Sequence, residues 1–398
     1  MTYKTSHKRL GIYIHIPFCR SKCAYCDFNS APPESDELVT RYIDALIAHI
    51  ESYKTAAEEY EPDTVFIGGG TPTSVPPEEL YRLIRAVKKN FSLVKKAEFS
   101  IECNPATADY STLARLHRMG VSRISFGLQS AHENELKALS RCHTRKDFMR
   151  SYKMARDAKF DNINVDLMFG IPHQTPESLM HSIKYVGGLR PEHISLYDLK
   201  IEPNTPFGKN YEKIAPTLPA EDVEADMYLA AVDLLSALGY KQYEISNFAR
   251  DGKMCAHNLK YWNCDEYLGF GVSAHSYFNG NRFSFTPEIK KYIEGVTVPE
   301  SKVRLTDDIE EIEEKERMGE YIMLRFRLAA GIDDREFSRR FGLSFEKMFG
   351  EKCEWFVRSG FMTAKNGVYA LTPRGMFVSN YILTEILDFD DLGKFNFT

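Results

Sequence analysis

From residue 10 to about residue 240 the chain alternates short β-rich runs with longer stretches whose apolar residues recur three and four apart. The runs Leu10–Ile16, Thr64–Ile67, Glu98–Glu102, Arg123–Leu128, Asn162–Met168 and His193–Leu199 predict strands. The patterns over Glu37–Tyr53, Pro77–Lys89, Tyr110–Met119, Lys146–Ala158, Thr175–Val186 and Ala220–Leu238 predict helices. Strands joined by crossover helices form a parallel α/β sheet. Six units are too few to close the usual eight-unit barrel, so the expectation is a partial (β/α)6 barrel with an open cleft.

The pattern changes after residue 240. Residues 241–305 read as a polar, aromatic connecting region, with Tyr243-Glu-Ile-Ser-Asn-Phe248, His257-Asn-Leu-Lys-Tyr-Trp262 and Tyr267-Leu-Gly-Phe-Gly-Val-Ser-Ala-His275. In the acidic stretch Asp307–Arg317, Glu311/Lys315 and Glu313/Arg317 are spaced as i,i+4 pairs, which predicts a solvated helix face. Beyond it come helices over Asp334–Phe341 and Phe345–Ser359, a hairpin over Phe361–Leu371 turning at Asn366-Gly367, and a last helix. That order predicts a smaller, winged-helix-like α+β module over 306–398. Its acidic and basic residues are mixed, which suits packing or docking rather than reading DNA.

Composition narrows the class. With 398 residues, 43% hydrophobic and 27% charged, this is an ordinary soluble composition, long enough for more than one domain. A formal net charge of -5 argues against nucleic acid or an anionic membrane as an obligate partner. Eight cysteines are too few and too scattered for a disulfide framework. No apolar signal or membrane-spanning run stands out, so the expected location is cytoplasmic, leaving open peripheral membrane contact and a homodimer.

The chemistry concentrates in Cys19-Arg-Ser-Lys-Cys23-Ala-Tyr-Cys26, directly after the first predicted strand. This spacing lets one loop aim three thiolates at three corners of a cubic [4Fe-4S] cluster. The fourth iron keeps no protein ligand and can chelate the amino and carboxylate groups of S-adenosylmethionine (SAM). A structural zinc site is the blander alternative, but no second C-x-x-C or H-x-x-x-H follows to complete it. Gly68-Gly-Gly-Thr-Pro72 follows the second strand and offers bare backbone to the methionine end of SAM. Glu102, Gln129 and Asp166 lie at or near the carboxyl ends of successive strands, the rim where barrel ligands sit. Together they can bond ribose hydroxyls and an ammonium group. Arg141 is either a surface arginine or a fork for the SAM carboxylate.

Tyr13-Ile-His-Ile-Pro-Phe-Cys19, Cys26-Asp-Phe-Asn29, Gly68-Gly-Gly-Thr-Pro72, Ile194-Ser-Leu-Tyr197 and Ile201-Glu-Pro-Asn-Thr-Pro206 resemble the oxygen-independent coproporphyrinogen III oxidase superfamily of radical SAM proteins. The resemblance covers essentially the whole chain. It implies a cluster on Cys19, Cys23 and Cys26, and SAM contacts at Tyr13, Tyr25, Gly69, Gly70, Thr71, Glu102, Gln129, Arg141 and Asp166. Within that set it implies adenine packing by Tyr25, ribose contacts from Gln129 and Asp166, and a carboxylate contact from Arg141. Glu102 would lie near the amino group. The dehydrogenases of this superfamily have an N-terminal extension and a fourth cysteine two residues after the third. Here the first cysteine is at 19, and Phe28 stands at the fourth position.

Both departures point to a haem-chaperone branch that hands haem to cytochrome-type acceptor proteins. His257-Asn-x-x-Tyr261-Trp262 matches the pattern associated with haem binding there. An imidazole can ligate haem iron, and Tyr261 and Trp262 offer flat surfaces. Cys255 is an alternative iron ligand, and His275 has no assigned role. The competing readings are radical decarboxylation of coproporphyrinogen III propionates and radical modification of haem. One local departure is His173, where glycine is commoner.

Overall fold

The computed structural model describes residues 7–298, 305–306 and 309–387. Two compact units emerge, each drawn from two stretches of chain: Met1–Pro219 with Asp265–Glu311, and Ala220–Cys264 with Ile312–Thr398. This division differs from segments cut at 240 and 305. The helix Glu221–Ala237 and the His257 region cluster with the C-terminal residues, while the strand Tyr267–Phe270 returns to the first unit.

In the first unit six parallel strands follow in sequence order: β1 (Lys8–Ile16), β2 (Tyr60–Gly69), β3 (Glu98–Cys103), β4 (Arg123–Gln129), β5 (Ile163–Phe169) and β6 (His193–Asp198). Strands β4 and β5 are buried or nearly so at every position, as expected of a parallel sheet covered on both faces. The other edge of β1 pairs with Tyr267–Phe270, so β1 does not meet β6 and the barrel stays open. The expected partial (β/α)6 architecture is observed.

The helix Asp36–Ser52 shows how local sequence fixes the strand end that leads to the cysteine loop. Ser35 caps it by accepting the Leu38 amide, and Asp36 and Glu37 suit the positive end of its dipole. Its buried face carries Val39, Tyr42, Ile43, Leu46 and Ile50, and burial of one such aliphatic side chain contributes about 1.5–3 kcal/mol. The Tyr42 hydroxyl donates to His15 O at 2.9 Å and accepts from Val272 N at 3.0 Å. One buried phenol therefore holds the end of β1 that leads into the cysteine loop.

The second unit packs Met318, Tyr321, Ile322, Phe326, Phe337 and Phe345 into a core of its own. Helices Asp334–Phe341 and Phe345–Arg358 precede a hairpin, Met362–Lys365 with Val368–Leu371, and Ile332–Asp333 adds a third strand. The turn residues Asn366 and Gly367 both have positive φ, 54° and 78°, matching the expected Asn-Gly hairpin. Two expectations need correction. The last helix is two short ones, Pro373–Phe377 and Ser379–Ile386. The acidic stretch starts not as helix but as the edge strand Glu310–Glu311, and the helix begins only at Glu314. Glu311 and Lys315 therefore share no helix, and Glu313 caps the helix with Glu316. Asp307 and Asp308 lie outside the described residues.

Candidate functional site: a cleft at the strand carboxyl ends

The cysteine loop is anchored at both ends before any ligand is considered. Cys19 N donates to Ala31 O at 3.1 Å, Ala24 N to Leu139 O at 3.2 Å, and Phe207 N to Ala24 O at 2.9 Å. Ala24 and Tyr25 pack with Leu139, Met168, Ile171 and Phe207 in a small apolar cluster beneath the loop. Cys26 N donates to Cys23 O at 3.3 Å, closing the turn between the last two cysteines. Cys19, Cys23 and Cys26 are all partly exposed, and all three line one open cleft with about 690 Å³ of space free of protein atoms.

The opposite wall is the glycine turn after β2. Gly70 N donates to Ile16 O and Thr71 N to Phe18 O, each at 2.8 Å, which presses this turn against the start of the cysteine loop. A Cβ on Gly70 would stand 2.7 Å from Phe18 O and 2.9 Å from Cys19 Sγ. Gly69 has φ of +113°, and a Cβ there would meet the His15 ring at 2.7 Å. Only glycine fits either place. Thr71 Oγ1 lies 3.6 Å from Cys19 Sγ and accepts from Asn104 Nδ2 at 2.6 Å.

The polar floor comes from β3, β4 and β5. Glu102 accepts from Gly69 N at 3.0 Å; burial, reinforced by the charge of Asp166, pushes its carboxyl up to about 8. Asp166 accepts from Ser125 Oγ at 3.1 Å and Asn164 Nδ2 at 2.6 Å. Burial raises its pKa too, while those donors pull it back. Gln129 ends β4 with φ of 71°, at a register shift against β5 that turns the chain out of the sheet at the cleft. Arg141 donates to Cys23 Sγ at 3.3 Å, to Asn104 Oδ1 at 2.6 Å and to Gly127 O at 2.7 Å, and its buried Nε has no hydrogen-bond partner among the described residues.

Of the SAM-contact set, Tyr25, Gly69, Gly70, Thr71, Glu102, Gln129, Arg141 and Asp166 all line this one cleft. Tyr13 does not. Its ring stacks on Phe66 at 6.3 Å and its hydroxyl lies 3.0 Å from His15 Nδ1, behind the glycine turn. Arg141 is half-buried and turns its guanidinium into the cleft, toward Cys23 Sγ. Asn104 and Ser125 also line the cleft and were not singled out from the sequence; Asn104, one residue past β3, follows the same strand-end rule as Glu102.

The donor set fits a cluster better than a lone ion. Among the described residues no three His, Cys, Asp or Glu side chains are grouped to hold one metal ion, as zinc requires. A cubic cluster takes one thiolate per iron, so its cysteines need share a rim rather than a point. Phe28, 67% exposed, lines the cleft at the position where a fourth cysteine would stand.

His257, Tyr261 and Trp262 belong to the second unit, on the short helix Ala256–Trp262. The helix turns His257 inward: it is 1% exposed and its Nε2 lies 2.8 Å from the Tyr261 hydroxyl, one helical turn on. Trp262 Nε1 is buried without a hydrogen-bond partner among the described residues. Cys255 is fully buried.

The Radical SAM superfamily model matches residues 13–186, and the HemN C-terminal domain model matches residues 312–378. Heme chaperone HemW of Bacillus subtilis is 37% identical over 381 residues, covering 94% of this chain and 98% of that protein. This chain belongs to the HemW family. The Escherichia coli HemW protein is 33% identical, with 94% of this chain and 97% of that protein covered. The solved coproporphyrinogen III oxidase (HemN) from Escherichia coli superposes with a TM-score of 0.84 at 22% identity, covering 96% of this chain and 91% of that one. That likeness shows that this chain shares the oxidase fold. Among the described residues no helix is long and apolar enough to cross a membrane.

Proposed function

We propose that this HemW-family chain is a cytoplasmic haem chaperone built on a radical SAM scaffold, delivering haem to cytochrome-type acceptors. The observation that carries the reading is its similarity to haem chaperones named HemW along 94% of its length. Cys19, Cys23 and Cys26 would hold a [4Fe-4S] cluster. When bound, it supplies an electron-donating centre with one iron free to chelate the amino and carboxylate groups of SAM. The chain's own residues do the positioning. Gly70 leaves room beside Cys19 and Gly69 beside the His15 ring, Glu102 and Asp166 face the cleft as hydrogen-bond partners, and Arg141 donates to Cys23 Sγ. Haem is bound by the second unit, around the helix Ala256–Trp262.

Phe28 supports this reading over coproporphyrinogen decarboxylation, because a phenyl ring cannot supply the fourth thiol. The test uses full-length, anaerobically reconstituted protein with haemin, an apo-cytochrome acceptor and, separately, coproporphyrinogen III with SAM and reductant. The expected result is stoichiometric haemin uptake and transfer with no protoporphyrinogen formed. Protoporphyrinogen production would promote the decarboxylase reading.

A further inference from the structure

The helix Ala256–Trp262 has two unlike sides. At ~100° per residue, His257 and Tyr261 share one side and Leu259 and Asn263 fall on the other. His257 is buried and Tyr261 half-buried. The Leu259 side forms one wall of a groove inside the second unit, with about 990 Å³ of space free of protein atoms. Its floor is chain paired with chain: Ala329 N donates to Tyr243 O and Ile245 N to Arg327 O, each at 2.9 Å. Leu259, Leu328, Ala329 and Ala330 give it an apolar lining.

Charge gathers along the same groove. Lys241, Arg250 and Arg325 line it against one acid, Asp251, which pairs with Lys241 at 2.8 Å. Arg325 is tied into the fold, donating through Nε to Gly331 O at 3.1 Å and through Nη1 to Asn263 Oδ1 at 2.5 Å, with Nη2 3.7 Å from Glu336 Oε2, so its charge is already met there. The Arg250 guanidinium lies over the Tyr240 ring at 4.8 Å. Met254, 45% exposed, adds a thioether to the lining. A flat apolar ligand with an anionic edge matches this combination, and a thioether is one of the side chains that ligate haem iron.

We infer that this groove is the haem seat, with the porphyrin face on Leu259, Leu328 and Ala329, its propionates at Arg250, and Met254 ligating the iron. The inference rests on the haem-binding reading above and changes its ligand. His257 becomes a positioning residue that holds Tyr261 and the helix's inner side, leaving the outer side to the porphyrin.

Full-length protein is titrated with haemin and, in parallel, with haemin dimethyl ester, whose carboxylates are masked. The unaltered protein should prefer haemin. Arg250→Glu should weaken haemin binding by about tenfold or more and erase that preference. Met254→Ala should shift the Soret band, and Ala329→Trp should block uptake. Arg250→Glu and Met254→Ala alter rim side chains, so thermal melts should match the parent. Haemin affinity and spectrum unchanged in those two variants would overturn the groove while leaving haem binding itself intact. A Soret band that follows His257→Gln instead of Met254→Ala would also overturn it. If the unaltered protein takes up no haemin, it is the haem reading that falls.

Discussion

A single thiol-to-methyl change separates ligand from bystander in the cleft. Cys23→Ala should abolish the oxygen-sensitive cluster, whereas Cys103→Ala should keep it: Cys103 lines the cleft but is buried and bonds to Asn104 O at 3.4 Å. Iron and sulfide analysis with the visible spectrum decides, and four irons retained without Cys23 would refute the assignment. Asp166→Ala should weaken SAM affinity by roughly 1–3 kcal/mol without touching the cluster, since a polar group of the bound SAM would be buried without its acceptor; calorimetry measures it. Glu102 gives the pH signature. A carboxyl raised from 4.5 to about 8 favours the folded state below the lower value, and that contribution is lost as pH rises through the higher one. Glu102→Gln should therefore gain on its parent between pH 5 and pH 9, by on the order of 2–4 kcal/mol in unfolding experiments. The three cysteines were legible because their spacing is local. Arg141's partner was not: Cys23 lies 118 residues away, and only the fold brings them together.

Elements were legible where side chains carry the period, and blurred where pairing or caps decide. Strand β2 extends from Tyr60 to Gly69 rather than over Thr64–Ile67, because pairing of Lys8 with Tyr60 recruits a Glu61-Pro62-Asp63 run that does not look β-forming. The helix Pro176–Leu189 runs through Gly187 and Gly188, residues that read as a stop, and ends only where Arg190 takes φ of 55°. In the turn that enters this helix, His173 has φ of 64° and donates its amide to Thr217 O at 2.7 Å. A left-handed φ suits glycine better than histidine. His173→Gly should stabilise the protein by about 1 kcal/mol, read from urea unfolding at constant m. An unchanged midpoint would mean the left-handed turn carries no strain.

At the scale of the molecule, the barrel, the shared rim and the C-terminal module were legible from alternation alone. The boundary between units was not, because it follows contacts rather than sequence order. Tyr267–Phe270 completes the sheet beside β1, with Gly11 facing Tyr267 and Ile14 facing Phe270. A fragment ending at Pro219 should therefore fail to fold, its β1 edge bare and Tyr42 deprived of Val272; native-like circular dichroism and a cooperative melt from that fragment would contradict this. The same interleaving has a consequence in time. Cys26 leaves the ribosome long before residue 311, the last of its unit, and at ~5–20 residues per second the interval is roughly 15–60 s. For most of that interval the thiols exist without the strand Tyr267–Phe270 that completes the sheet beside β1. A cluster on Cys19, Cys23 and Cys26 would therefore be inserted late, once Tyr267–Phe270 has joined β1 and the cysteine loop has its full sheet behind it.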